Sequence, residues 1–178
     1  SQLSSGVTEI FNNNTTFVAL KDDGSVITWG NSSSGGDSSS VSSQLSSGVT
    51  EIFTNGNTYG NAFAALKDDG SVITWGDSSS GGDSSSVSSQ LSSGVTEIFS
   101  NSNAFAALKD DGSVITWGNS SYGGDSSSVS SQLSSGVTEI FSNNYVFAAL
   151  KDDGSVITWG YSSYGGDSSS VSSQLSSG

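Results

Sequence analysis

An all-β architecture of stacked repeats is predicted by three observations. A block of fourteen residues occurs four times with almost no change, each copy contains an Asp-Gly turn, and β-branched and aromatic runs flank that turn. The last copy is Phe147-Ala148-Ala149-Leu150-Lys151-Asp152-Asp153-Gly154-Ser155-Val156-Ile157-Thr158-Trp159-Gly160. Aspartate followed by glycine accepts the positive φ of a tight hairpin, so the runs before and after the turn read as paired strands. A unit this short cannot bury its own apolar faces, so the units must stack on one another.

Aligning on Gly-Val-Thr-Glu-Ile-Phe divides one array, 1–178, into repeats 7–48, 49–94, 95–136 and 137–178. Residues 1–6 duplicate the end of a repeat. Three repeats have 42 residues and the second has 46. Its extra residues lie in Thr54-Asn55-Gly56-Asn57-Thr58-Tyr59-Gly60-Asn61, where the third repeat has only Ser100-Asn101-Ser102-Asn103, so the segment from Phe53 to Phe63 is a surface loop. Within the last repeat the strands run over Val137 to Phe141, Val146 to Lys151 and Ser155 to Trp159. A Gly-rich turn follows, then Ser168 to Ser177, in which Val171 and Leu175 stand four apart. That spacing fits a short helical turn with Asp167 as N-cap and Gly178 as C-cap; it also fits one face of a fourth strand. A period of 42 residues with three to four short antiparallel strands describes propeller blades, with a β-solenoid as the alternative. Trp29, Trp75, Trp117 and Trp159 are then the inter-repeat core.

Composition narrows the function. The 178 residues are 32% apolar, enough for a packed core, yet 48 serines and 23 glycines leave long stretches of low complexity. Each repeat carries one Glu, three Asp and one Lys, and Asp77 brings the net charge to -13. Such a surface repels phosphate backbones and anionic membranes, which argues against nucleic-acid partners and favours cations or basic proteins. The chain has no Cys and no His, which removes thiolate and imidazole chemistry, and no apolar run approaches the roughly 18 residues of a membrane-spanning helix. Met is absent even from position 1, as expected of a mature or trimmed product or a segment of a longer chain. Compartment is not encoded, although a filamentous role would favour an extracellular one.

The acidic pairs Asp22-Asp23, Asp68-Asp69, Asp110-Asp111 and Asp152-Asp153 are weak calcium candidates, and calcium is the only cofactor the sequence suggests. Turn chemistry explains them more simply, since no EF-hand spacing is present. Identical carboxylates repeated four times do not mark one active site, and no residue activates a serine nucleophile, so no catalytic residue is assigned. Lys21, Lys67, Lys109 and Lys151 precede the acidic turns and are expected to form local ion pairs. The aromatic variation is more informative. Tyr122, Tyr161 and Tyr164 replace Ser or Asn of other repeats, and Tyr59 and Tyr145 sit in the variable loop, so these five form a candidate contact loop.

The pattern Gly-Val-x-x-Ile, a short loop, Phe-Ala-Ala-Leu-Lys-x-Asp-Gly-Ser-Val-x-x-Trp-Gly-x-x-x-x-Gly-Gly resembles the repeat of the regulator of chromosome condensation family. It looks most like that family's short variants with Gly-Gly-Asp-Ser-Ser. The resemblance covers every repeat and implies β-propeller blades. The name-giving protein has seven blades, binds chromatin and drives nucleotide exchange on a small GTPase. This chain has four shorter repeats and an acidic surface, so the blade is carried over and the activity is not.

Four blades raise a question of closure, because Ser1 to Gly6 recurs as Ser173 to Gly178 and a ring needs only one copy. Either the chain is a slice of a longer array or it pairs with another copy, for instance two chains closing eight blades. The expectation is a non-enzymatic scaffold that associates with itself, as an oligomer or filament. The alternative is a propeller binding module that offers its rim loops to a protein or glycan.

Overall fold

A computed structural model describes residues 5–55 and 61–176. Twelve strands form four separate three-stranded antiparallel sheets. The first sheet contains β1 (Val7–Asn12), β2 (Thr16–Lys21) and β3 (Val26–Gly30), and the second contains β4 (Val49–Thr54), β5 (Ala62–Lys67) and β6 (Val72–Gly76). The third contains β7 (Val95–Ser100), β8 (Ala104–Lys109) and β9 (Val114–Gly118), and the fourth β10 (Val137–Ser142), β11 (Val146–Lys151) and β12 (Val156–Gly160). Strand order within each sheet follows the chain. Separate sheets that stack face to face are propeller blades; a solenoid would run one sheet through all repeats. The first strands of successive blades, β1, β4, β7 and β10, lie next to one another, so they form the inner rim.

The hairpin forms where the Asp-Gly pair places it. Leu20 pairs with Val26, the Lys21 N–H donates to the Ser25 carbonyl at 3.0 Å, and Gly24 takes a φ of 72° that a side chain would resist. The turn also joins blades, because the Val49 N–H donates to the Gly24 carbonyl at 3.0 Å and the same bond recurs from Val95 to Gly70 and from Val137 to Gly112.

Alternation along the middle strand divides each blade into two apolar faces. Phe63 and Ala65 of β5 look back at the first blade, where they join Val18 and Leu20, whereas Ala62, Ala64 and Leu66 look forward to Phe105, Ala107 and Trp117. The third interface repeats the arrangement with Ala104, Ala106 and Leu108 against Phe147, Ala149 and Trp159. Each interior tryptophan locks its interface. Trp75 lies over Phe63 with ring centroids 5.4 Å apart, and its indole donates to the Gly35 carbonyl of the preceding blade at 3.1 Å. Trp117 and Trp159 make the same bond to Gly81 and Gly123. Trp29, in the first blade, stacks on Phe17 but remains half-buried.

The Ser-rich segment is helical. Each Gly-rich turn starts with a short 3-10 turn, such as Ser32–Ser34, and a second 3-10 turn, such as Ser39–Val41, opens the segment that follows. In the last repeat this continues as a short α-helix over Ser172–Leu175. The fourth-strand reading is therefore corrected, and among the described residues each blade has three strands. Serine suits the segment because its hydroxyl can bond a carbonyl one turn back: Ser42 Oγ donates to the Ser39 carbonyl at 3.0 Å and Ser46 Oγ to the Ser43 carbonyl at 2.8 Å. Asp167 does cap its turn, accepting from the Ser169 N–H at 2.9 Å, but from one position before the formal N-cap, Ser168. Gly178 lies outside the described residues. The segment carries Leu45, Leu91 and Leu133, each almost wholly buried, into the interface with the next blade.

Candidate interaction surfaces

Two ends of the blades can be distinguished, and the acidic turns occupy one of them. Asp23, Asp69, Asp111 and Asp153 each bond the serine two residues on; the Asp23 carboxylate, for example, accepts from both the hydroxyl and the N–H of Ser25. These serine bonds, hydroxyl first and then N–H, hold the four carboxyls below the ordinary value of 3.8. Asp37, Asp83, Asp125 and Asp167 are lowered in the same direction, chiefly by the N–H of Ser39, Ser85, Ser127 and Ser169. Asp22, Asp68, Asp110 and Asp152 instead use their backbone N–H, donating to Gly6, Gly48, Gly94 and Gly136. Among the described residues no three carboxylates come together as a cation-binding set.

The lysines depart from the expected ion pairs. Lys67 Nζ donates to the Gln44 carbonyl at 3.1 Å, Lys109 Nζ to Gln90 at 3.0 Å and Lys151 Nζ to Gln132 at 2.8 Å. Each ammonium thus holds the C-terminal end of the preceding repeat's helical segment, where exposed carbonyls attract a cation. Its charge still reaches the turn and contributes a smaller lowering at Asp23, Asp69, Asp111 and Asp153.

On the inner rim, Glu9, Glu51, Glu97 and Glu139 take equivalent places on β1, β4, β7 and β10. The Glu51 carboxyl is pushed above 4.5, first by partial burial and then by the charges of Glu97 and Glu9. Acid titration should reveal both groups. The aspartates, with folded values below 3.8, favour the folded state fully above 3.8 and lose that contribution as pH falls through their lowered values. Glu51 acts in the opposite sense, so its unfavourable term is relieved as pH falls towards 4.5. The thermal midpoint is expected to hold or rise slightly on acidification to 4.5 and to drop below 3.8. A midpoint that keeps rising in that lower range would exclude the turns as its determinants.

The other end carries the aromatic variation. Tyr145 stacks on Tyr164 with centroids 4.4 Å apart, Tyr122 lies 5.7 Å from Tyr145, and Tyr161 stands 5.3 Å from Tyr164 and 6.3 Å from Tyr122. Tyr161 and Tyr164 are exposed, and Tyr122 and Tyr145 are half-buried beneath them. Four rings from two repeats therefore form one patch; Tyr59 lies outside the described residues. Their placement depends on an asparagine that sequence reasoning passed over. Asn143 Oδ1 accepts from the Tyr145 N–H at 2.8 Å and its Nδ2 donates to the Tyr164 carbonyl at 3.3 Å. Asn101 reaches the Tyr122 carbonyl at 2.6 Å, and Asn13 reaches that of Ser34 at 3.0 Å. The signal was available, because Asn13, Asn55, Asn101 and Asn143 stand two residues after the first-strand phenylalanine of every repeat.

Comparison with solved structures places this architecture. The yeast protein RCC1 (Prp20), in its complex with Kap60, aligns over 89% of this chain and 44% of its own at a TM-score of 0.55 and 13% identity. The fold is that of RCC1-like propeller blades. Prp20p from Saccharomyces cerevisiae, described with its binding to Gsp1p and histones, aligns over 86% of this chain and 44% of its own, with a TM-score of 0.54 and 15% identity. Human WBSCR16 aligns over 90% and 49%, with a TM-score of 0.53 and 20% identity. The chain thus spans about half the length of the RCC1-like structures it matches. No protein-family model and no curated protein sequence matches it.

Proposed function

We propose that the chain is a protein-binding repeat module whose contact surface is the patch formed by Tyr122, Tyr145, Tyr161 and Tyr164. One observation carries this reading: the tyrosines of the third and fourth repeats that stand where other repeats have Ser, Asn or Thr converge in space. These rings stand within 4.4 to 6.5 Å of their neighbours. Tyrosine offers a rigid apolar ring with a polar tip at low entropic cost, the chemistry of protein contact surfaces. Yeast RCC1 (Prp20), solved bound to Kap60 and described with its binding properties to Gsp1p and histones, supports a protein as the class of partner. The net charge of -13 and the cation-attracting faces of the rings select a segment bearing Arg or Lys. This reading displaces the self-associating scaffold as the primary function.

The test uses substitutions that the fold already accommodates elsewhere. Ser34 and Ser80 stand where Tyr122 and Tyr164 do, Asn31 and Asn119 where Tyr161 does, and Thr15 where Tyr145 does. The combined variant Tyr122→Ser, Tyr145→Thr, Tyr161→Asn, Tyr164→Ser should therefore fold. It is expected to bind a labelled peptide of alternating Arg and Ser about tenfold more weakly than the parent chain. Equal binding by both proteins would remove the patch from the contact surface. Preference for a Glu-Ser peptide would overturn the basic partner.

A further inference from the structure

In the fourth blade two tyrosines are held together by the geometry of the repeat itself. The Tyr145 and Tyr164 rings stand 4.4 Å apart between centroids with their planes 24° from parallel, the closest aromatic pair among the described residues. An asparagine bridge sets this approach. In the first repeat Asn13 accepts from the Thr15 N–H at 3.0 Å and donates to the Ser34 carbonyl at 3.0 Å. In the third, Asn101 accepts from the Asn103 N–H at 3.1 Å and donates to the Tyr122 carbonyl at 2.6 Å. Asn143 makes the same bridge between Tyr145 and Tyr164, at 2.8 and 3.3 Å. The pairs Thr15 and Ser34, Asn61 and Ser80, Asn103 and Tyr122, and Tyr145 and Tyr164 thus occupy equivalent positions, and only the last has a phenol on both sides. Each bridge lies within one blade, so it does not depend on what stands beside that blade.

We infer that Tyr145 and Tyr164 form an oxidative cross-linking site, at which a peroxide-driven one-electron oxidant joins the two rings by a carbon–carbon bond. Each phenol gives up one electron and its hydroxyl proton. The two phenoxyl radicals couple through carbons ortho to oxygen; the hydrogen on each of those carbons then leaves as a proton, and each oxygen regains one. The two rings together lose two hydrogen atoms, and one hydrogen peroxide takes them up to become two waters. The rings are already in contact, so coupling within the chain needs only a turn of a side chain, which is fast, whereas coupling to another chain needs an encounter. The chain has no Cys and so no disulfide to tie these loops. The tyrosine pair instead ties the turn between β10 and β11 to the Gly-rich turn after β12. The cross-link needs no bound partner, so it stands apart from the binding role.

Oxidation of the 178-residue chain in dilute solution with a haem peroxidase and hydrogen peroxide tests the inference. Trypsin cuts after Lys109 and Lys151, which leaves Tyr122 and Tyr145 on peptide 110–151 and Tyr161 and Tyr164 on peptide 152–178. The expected product keeps the mass of a single chain less two hydrogens, shows the blue emission of dityrosine and yields these two peptides joined. Tyr145→Phe and Tyr164→Phe keep the rings and remove one phenol each, and either is expected to lower the joined peptide by about tenfold or more. Tyr122→Phe and Tyr161→Phe should leave it within about twofold of the parent. A link confined within either peptide would overturn the inference, as would joined peptides that persist in Tyr164→Phe. Chains cross-linked to one another in place of the intramolecular product would overturn it too. So would the absence of dityrosine in the chain when the same oxidant couples N-acetyltyrosine in a parallel sample.

Discussion

Trp117→Ala is expected to lower stability by about 3 to 5 kcal/mol, read as a shift of the urea midpoint. Trp117 is 2% exposed, stacks on Phe105 with centroids 5.3 Å apart and donates to Gly81 at 3.1 Å. Its loss therefore opens a cavity between two blades and strands a buried carbonyl. Trp117→Phe separates the two contributions: the ring stack persists, the hydrogen bond does not, and about 1 to 3 kcal/mol should be lost. Trp29→Ala is the internal control. Trp29 is half-buried and stacks on Phe17, itself exposed, so the same substitution should be much milder there. Equal losses at Trp29 and Trp117 would mean that the tryptophans stabilise their own blades and do not anchor neighbours. Repeat arrays can unfold in stages, so the midpoints should be read by both tryptophan fluorescence and circular dichroism.

Gly81→Ala is expected to be nearly as damaging, at about 2 to 5 kcal/mol, although it adds only a methyl group. Gly81 has a φ of 103°, and a Cβ there would stand 2.7 Å from Phe105 Cδ2 and 3.3 Å from Trp117 Cδ1. The substitution thus combines left-handed backbone strain with overpacking against two rings that cannot retreat. Gly165→Ala has the same kind of φ, 106°, but nothing within 4 Å. It should cost only the backbone term, about 1 to 2 kcal/mol. The difference between the two sites measures the interface; if it vanished, the close approach of glycine to ring would carry no energetic weight.

The blade was legible because local chemistry dictates it. Lys-Asp-Asp-Gly-Ser leaves the chain few alternatives to a hairpin, and the alternating residues of Phe63 to Leu66 already contain the two faces that later stack. The Ser-rich segment was ambiguous because Val171 and Leu175, four apart, share a face in both a helix and a strand. Serine hydroxyl bonds to carbonyls one turn back accompany the helical form, and a hydropathy pattern does not contain them. The lysines were misread for a different reason. Asp22 and Asp23 adjoin Lys21 in sequence, yet the ammonium of each later repeat reaches a carbonyl 19 or 23 residues upstream, on the preceding repeat. The tyrosines could be recognised as a candidate contact surface, but not which rings meet. Tyr122 belongs to the third repeat and the other three to the fourth, and only the offset between adjacent blades brings them together.

The sameness of the interfaces also bears on how the chain finds its order. Leu45, Leu91 and Leu133 fill equivalent sites, as do Phe63, Phe105 and Phe147, so none of these core side chains identifies which blade should meet which. Blade order is therefore an address written in connectivity. The helical Ser-rich segment is short enough to deliver each blade to the one before it, and a covalent tether favours that pairing over equally well-fitting but more distant ones. Changing the length of that segment, while leaving every interface residue untouched, is the alteration that would let this chain assemble its blades in another order.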